Sequence, residues 1–449
     1  MNSFGFMARR NVRTNNGLLR NNVPQIVFSN CTKKQSSKIS FCRAKCAIND
    51  ILLGDFSKIQ DLEKHMSFMD NSELCKEFFS ILPYDLLINL VTSENQYLLP
   101  SIIIVSRCIS NKFCPHNFFS SITTNFALAK FLYSLMKDDF NIATQCFRIF
   151  SAMILVSPEI RDFLLTSGVI EYIYQYANDI RLANVPYKKT FFLKKASDFI
   201  INCLRSNPIL DQSLIENVSQ AYFFFLRYEN ESIVSYILVQ FKDLKKSDQI
   251  RSAYPHIFNE SFAYISENLI SKKSPEISMP VYDLIQDIDS LEYMKITIVY
   301  LQNIDSVPMK KKCLKMMVKR SQEWSSVKND EVCQILLQIT ESSYYAIRKL
   351  AAQVFLLYWD KRKMINDRIL NMILNFITEK DFGIICMNTI FYYLNDSFSQ
   401  DLRQSLINEL LNQDFESTLF DIIENGTELE SNTASLLLDA FHAACSSDK

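Results

Sequence analysis

Glycine is scarce in this chain, with 6 among 449 residues, and proline occurs only 11 times. A many-stranded sheet needs tight turns and a phosphate-cradling loop needs clustered glycines, so both are disfavoured and helices joined by short connections remain. Histidine is scarcer still. His65, His116, His256 and His442 stand far apart, none in a His-Glu-x-x-His helix or beside a nucleophile elbow. Paired Cys-x-x-Cys spacing is missing: Cys108, Cys114 and His116 come nearest to a metal cluster, and Cys42 with Cys46 is similarly incomplete. No catalytic centre, metal or cofactor is expected, and the chain reads as a non-enzyme. Apolar stretches such as Ile102–Val105 and residues 149–156 fall short of the roughly 20 residues that cross a bilayer, so no membrane span is expected.

What is present points to a large ordered body. A hydrophobic content of 48% supplies ample apolar surface and excludes disorder over most of the length. The 12 cysteines are scattered through apolar segments without a repeating interval, which fits a reducing cytoplasm or nucleus better than a disulfide framework. The net charge of -1 conceals an asymmetry. The first 50 residues carry nine basic side chains against Asp50 alone, or +8, and the remaining 39 basic and 48 acidic residues leave the rest at -9.

Residues 1–46 mix Asn, Arg, Ser and Gly without a sustained apolar period and are expected to form a mobile basic arm. From residue 47 to 449 apolar residues recur at three- and four-residue steps, broken by Pro, Asn, Asp or Ser. Long amphipathic helices are expected near 95–110, 140–156, 189–206, 231–245, 276–288, 308–321, 343–358, 382–396 and 430–445. Second helical segments lie between them, including Phe126–Met136, Val169–Ala177, Leu214–Arg227, Phe258–Ile270 and Ile369–Ile377. The long helices start at intervals that bracket the ~40–47 residues of armadillo and HEAT units, so stacked helical hairpins sharing one core are expected. An irregular helical bundle is the alternative.

Three segments carry a more specific likeness. Residues 141–174 give a long helix, a short one opening at Pro158, a corner at Gly168 and an apolar helix from Val169-Ile170, and so resemble an armadillo repeat. In the next unit Ala196, Asn202, Arg205, Asn207 and Pro208 resemble the importin alpha version of that repeat, whose third helix reads Ala-x-Trp-x-x-x-Asn-x-x-Arg before Asn-Pro. Residues 420–441 are similar to that family's closing repeat. The resemblance implies an all-α, right-handed armadillo/HEAT-type solenoid that takes a protein or extended peptide in a concave groove. It further implies a nuclear-import adaptor shuttling between cytoplasm and nucleus, with Asn202, Asp198, Arg205 and Asp243 in the groove. Importin beta would then bind the arm through Arg9, Arg10, Arg13 and Arg20.

The sequence also departs from that pattern. Asp198 stands at the tryptophan position, and alignment on Gly168 puts Arg148 and Ala152 at the tryptophan and asparagine positions of the preceding helix. The helix at 231–245 offers Val239 and Asp243. An armadillo scaffold that does not read localisation signals is therefore the alternative function, and Trp324 and Trp359 are the only tryptophans available to line a groove. The arm equally fits a solvated tail, and its arginines without acidic neighbours resemble an organelle transit peptide. Nucleic acid is not expected as a partner of an acidic body. Its aromatic runs, such as Tyr222-Phe-Phe-Phe225, suit a core, and Lys310-Lys-Lys312 with Lys315, Lys319 and Arg320 suits a solvated face.

Overall fold

A computed structural model describes residues 22–92, 95–137, 139–179, 185–287, 289–324, 330–341, 344–359, 366–380, 382–395 and 400–446. Among the described residues the regular elements are all helical. The chain divides into two compact units, one ending at Ser261 and one beginning at Phe262.

The first unit opens with α1 (Asn22–Leu52), α2 (Ile59–Lys64), α3 (Ser72–Ile81), α4 (Tyr84–Val91) and α5 (Leu98–Ile109). It continues with α6 (His116–Thr123), α7 (Phe126–Leu135), α8 (Phe140–Val156), α9 (Pro158–Thr166) and α10 (Val169–Ala177). Next come α11 (Pro186–Arg205), α12 (Gln212–Leu226), α13 (Glu231–Lys245), α14 (Asp248–Ala253) and α15 (Pro255–Tyr264), the last crossing the division. Short polar side chains start these helices by accepting from otherwise unpaired amides. Asp139 accepts from Asn141 N at 2.6 Å and Ile142 N at 3.1 Å, and Asn230 accepts from Ser232 N at 2.9 Å. At the corner read from the sequence, Ser157 caps Ile160 N, Pro158 fills the first turn of α9, and Gly168 takes φ +89° before α10. That left-handed backbone is the one glycine adopts without a Cβ penalty.

The long helices of this unit pack in chain order, α5 on α8, α8 on α11 and α11 on α13. Phe147 of α8, wholly buried, makes edge contacts with Phe192 at 5.5 Å and Phe199 at 5.6 Å across the α8/α11 seam. Edge-to-face aromatic pairs add about 0.5–1.5 kcal/mol beyond their area, so this seam is a strong one. The arm boundary expected at residue 46 is corrected for residues 22–46, which lie in α1. Phe41, Ala44, Ala47, Ile48 and Ile51 are buried at three- and four-residue steps, and Phe41 meets Phe68 edge-on at 5.2 Å. The stripe crosses the expected boundary, with polar residues between its members blurring the pattern in sequence.

The second unit contains α16 (Pro275–Leu284), α17 (Ser290–Asn303), α18 (Val307–Lys319), α19 (Ser321–Trp324) and α20 (Asp330–Ile339). It closes with α21 (Tyr345–Tyr358), α22 (Asp367–Leu374), α23 (Phe382–Asn395), α24 (Gln400–Asn412), α25 (Phe415–Asn425) and α26 (Glu428–Ser446). α18 and α20 pack on α21, and α23 and α25 pack on α26. Its core includes buried tyrosines: Tyr282 stacks on Tyr293 at 4.9 Å, and its hydroxyl is 2.9 Å from Thr297 Oγ1. α17 has no counterpart among the expected helices. Leu291 and Val299 are exposed on it, which blurs its apolar period, while Asp289 caps Leu291 N and Glu292 N.

Candidate functional site

The sequence-picked residues Asp198, Asn202 and Arg205 lie at three- and four-residue steps on α11 and so share one face of that helix. Tyr187, Phe191 and Lys195 continue the same face toward its N-terminus; Tyr187 is 70% exposed and Phe191 44%. The neighbouring helices present matching rows, Gln145 and Arg148 on α8 and Tyr236, Gln240 and Asp243 on α13. In the polar rows of α8, α11 and α13, from Gln145 to Asp243, Asp243 is exposed and the others are half-buried.

Side chains join the rows across the helices. Asn202 donates its amide to the Ser151 carbonyl of α8 at 3.0 Å, and its own oxygen accepts from Arg205 Nη1 at 3.4 Å. Arg205 Nη2 donates to Gln240 Oε1 of α13 at 3.1 Å. Asp198 accepts from Lys195 at 2.9 Å and from the Tyr236 hydroxyl. Toward the N-terminus, Arg148 donates to Gln145 at 3.3 Å, Ser106 of α5 donates to Gln145 at 2.8 Å, and Arg107 pairs with Glu63 of α2 at 3.1 Å. The result is a polar ridge crossing α2, α5, α8, α11 and α13.

The electrostatics of the ridge are uneven. Burial, with the Arg107 charge adding to it, holds the Arg148 guanidinium below its ordinary pKa, while Asp198 acts in the opposite direction. Burial raises the Tyr236 hydroxyl well above its ordinary value, and its bond to Asp198 acts in the same sense. Asp243 is lowered chiefly by its hydrogen bond to Lys246, 2.7 Å away, with Arg205 contributing. Among the described residues Arg148 and Arg205 bond neutral amides and form no ion pair, so two half-buried cations remain available to a ligand.

Four residues read from the sequence therefore occupy one region, in different roles. The Asn202 amide ties α8 to α11, and Arg205 ties α11 to α13. Asp198 is engaged by Lys195 and Tyr236, and Asp243 by Lys246 at the exposed end. Arg9, Arg10, Arg13 and Arg20 lie outside the described residues. Neither tryptophan belongs to these helices: Trp324 ends α19, and Trp359 follows α21, stacking on Phe355 at 5.1 Å and donating to Tyr393 at 3.1 Å. Glu63, Arg107, Gln145, Tyr236 and Gln240 were missed in sequence. The available signal was helical spacing, since Gln145 precedes Arg148 by three residues and Tyr236, Gln240 and Asp243 repeat at four and three.

Elsewhere, Cys75 rather than His116 is the electrostatic neighbour of Cys108 and Cys114, while His116 Nδ1 sits 3.3 Å from Ser120 Oγ. Burial pushes the Cys75 and Cys114 thiols up to about 11 and Cys108 well above the usual range. Among the described residues no group of three or more His, Cys, Asp or Glu side chains is placed to hold a metal ion, and no helix is long and apolar enough to cross a membrane. No family model matches the chain, and no curated protein matches it. The armadillo and importin alpha likeness therefore rests on the residues quoted above.

Proposed function

We propose that this chain is a non-catalytic protein-binding scaffold, an armadillo-type solenoid of the cytoplasm or nucleus, that lays an extended partner segment across the α8/α11/α13 face. One observation carries the reading: exposed Tyr187 and Phe191 share a helix face with a ridge holding Arg148 and Arg205 on neutral amides. Aromatic residues and arginine are the types enriched in protein interfaces, because they combine large contact area with directed hydrogen bonds. Two cations that form no ion pair among the described residues favour a segment that brings its own acidic side chains.

A second reading, an import adaptor for basic cargo with importin beta on the arm, draws support from Asp198, Asp243 and the residues Ala196, Asn202, Arg205, Asn207 and Pro208. Three features oppose it: the Asn202 amide is engaged by Ser151, Asp198 is engaged by Lys195, and Arg148 repels a lysine.

Fluorescence anisotropy of the full chain with an acidic, aromatic-bearing peptide and with a lysine-rich peptide separates the two. The acidic peptide is expected to bind tighter, and Arg148→Gln or Arg205→Gln to weaken it about tenfold, the loss of one charge-assisted hydrogen bond. Nanomolar binding of the lysine-rich peptide, abolished by Asn202→Ala, would overturn the scaffold reading in favour of import.

A further inference from the structure

The second unit holds a cavity of about 320 Å³ between the end of α20, the start of α21 and α22. Thr340, Glu341, Tyr345, Arg348, Arg368 and Asn371 are among its lining residues. Among the described residues three cations and two carboxylates lie in this neighbourhood, and the pairing among them is unequal. Glu341 pairs with Arg368 at 2.6 Å. Glu379 takes Lys349 at 2.6 Å and also accepts from the Tyr345 hydroxyl. Both carboxylates are thereby engaged, and Arg348 is left over. Among the described residues its Nε, shut off from solvent, has no acceptor, and its remaining contact is with the Tyr345 ring, 5.8 Å from centroid to Cζ.

This placement works against stability. A guanidinium loses hydration when its Nε is buried, and no protein acceptor replaces the lost water. Arg348 is also the fourth residue of α21, close to the helix end where the macrodipole disfavours positive charge. An arginine held in that position beside a polar cavity is complementary to a ligand that supplies the missing negative charge. We propose that this cavity is a binding site for a single oxyanion group, phosphate or carboxylate, gripped by the Arg348 fork. Arg368 and Thr340 line the same space. The planar guanidinium suits both anions because each presents two oxygens at matching spacing. The site belongs wholly to the second unit and does not depend on the face of the first.

Both tryptophans lie in the second unit, and Trp359 stacks on Phe355 of α21, so tryptophan fluorescence reports that unit's unfolding. The test follows thermal unfolding of the full chain in rising sodium phosphate, sodium succinate or sodium chloride at matched ionic strength. A saturable rise in midpoint over chloride is expected with phosphate, succinate or both. The stronger of the two arms identifies the oxyanion. Arg348→Gln should raise the half-saturating concentration about tenfold, and Arg348→Lys, which keeps the charge and loses the fork, about threefold. Lys315→Gln, on the exposed face of α18, should leave it unchanged. Absence of a saturable response in the unaltered chain, or an unchanged half-saturation in Arg348→Gln, would overturn the proposal. Should Arg348→Gln not fold, Arg348→Lys decides alone, and equality with the unaltered chain would overturn it.

Discussion

Arg161 on α9 is only 2% exposed, yet it is an arginine, and its neighbourhood yields a prediction whose sign runs against simple burial. Its Nε donates to Asp162 at 2.7 Å, and Nη1 donates to Ser206 Oγ at 2.9 Å and to the Pro208 carbonyl. These bonds join α9 to the end of α11 and the segment after it. Replacing Arg161 by methionine keeps much of the volume and leaves little unsatisfied. Ser206 Oγ still donates to the Cys203 carbonyl at 2.7 Å, the Asp162 side chain is 40% exposed and hydrates, and Pro208 is exposed. That exchange should cost about 1 kcal/mol or less, as for buried ion pairs replaced by apolar side chains. Asp162→Ala, at the more exposed partner, instead leaves a buried guanidinium. Removing one partner of a buried pair costs about 3–5 kcal/mol, which two surviving acceptors reduce to about 2–4. The double variant should fall back to about 1 kcal/mol, a coupling of about 2–4.

Hydrogen exchange of peptides covering α9 and α11 reads this locally, without requiring the two units to unfold together. At 1.36 kcal/mol per decade, Asp162→Ala should accelerate exchange there about 30- to 900-fold. An Asp162→Ala variant no faster than Arg161→Met would refute the reasoning.

Four further outcomes are expected. Gly168→Ala forces a Cβ into the left-handed region and within 3.2 Å of Glu171 Oε2, so calorimetry should show a loss of about 1–2 kcal/mol. Asn202→Ala removes the α8/α11 tie and should cost about 1 kcal/mol in urea unfolding followed by circular dichroism; an unchanged midpoint would show that Ser151 does not need that donor. Cys42 and Cys46, both exposed, should be alkylated by iodoacetamide before Cys75 and Cys114 at about pH 8, because the latter thiols are pushed up to about 11. Their raised values favour the neutral form in the fold, so this contribution to stability is intact below the ordinary thiol value of 9.0 and is lost as pH climbs toward about 11. Alkaline unfolding that Cys75→Ala leaves unmoved would count against it.

Much of the helical content is local, and local features are legible in a sequence. Apolar spacing marked α8 and α13 at the ends the structure gives them, and Pro158 and Gly168 marked the corner around α9, because first-turn prolines and left-handed turns depend on a few adjacent residues. α1 and α17 escaped detection for the same reason. Polar residues between the buried positions of one, and exposed Leu291 and Val299 on the other, weaken the local period that burial later selects.

The ridge could not be read that way. Asn202 and Ser151 stand 51 positions apart, Tyr236 and Asp198 38, Arg205 and Gln240 35. Which of these side chains meet depends on how far each helix is displaced along its neighbour, and a shift of one turn would exchange every partner. The same holds for Arg348, whose lack of an acceptor is a property of where Glu341 and Glu379 turn. Composition and spacing determined that the chain is helical and where its face residues fall on each helix. Only packing decided that Asn202 is tied to α8, that Arg148 and Arg205 rest on neutral amides, and that Arg348 faces a cavity with no counterion among the described residues, because a hydrogen bond or ion pair is fixed by distances of about 3 Å that no repeat period specifies.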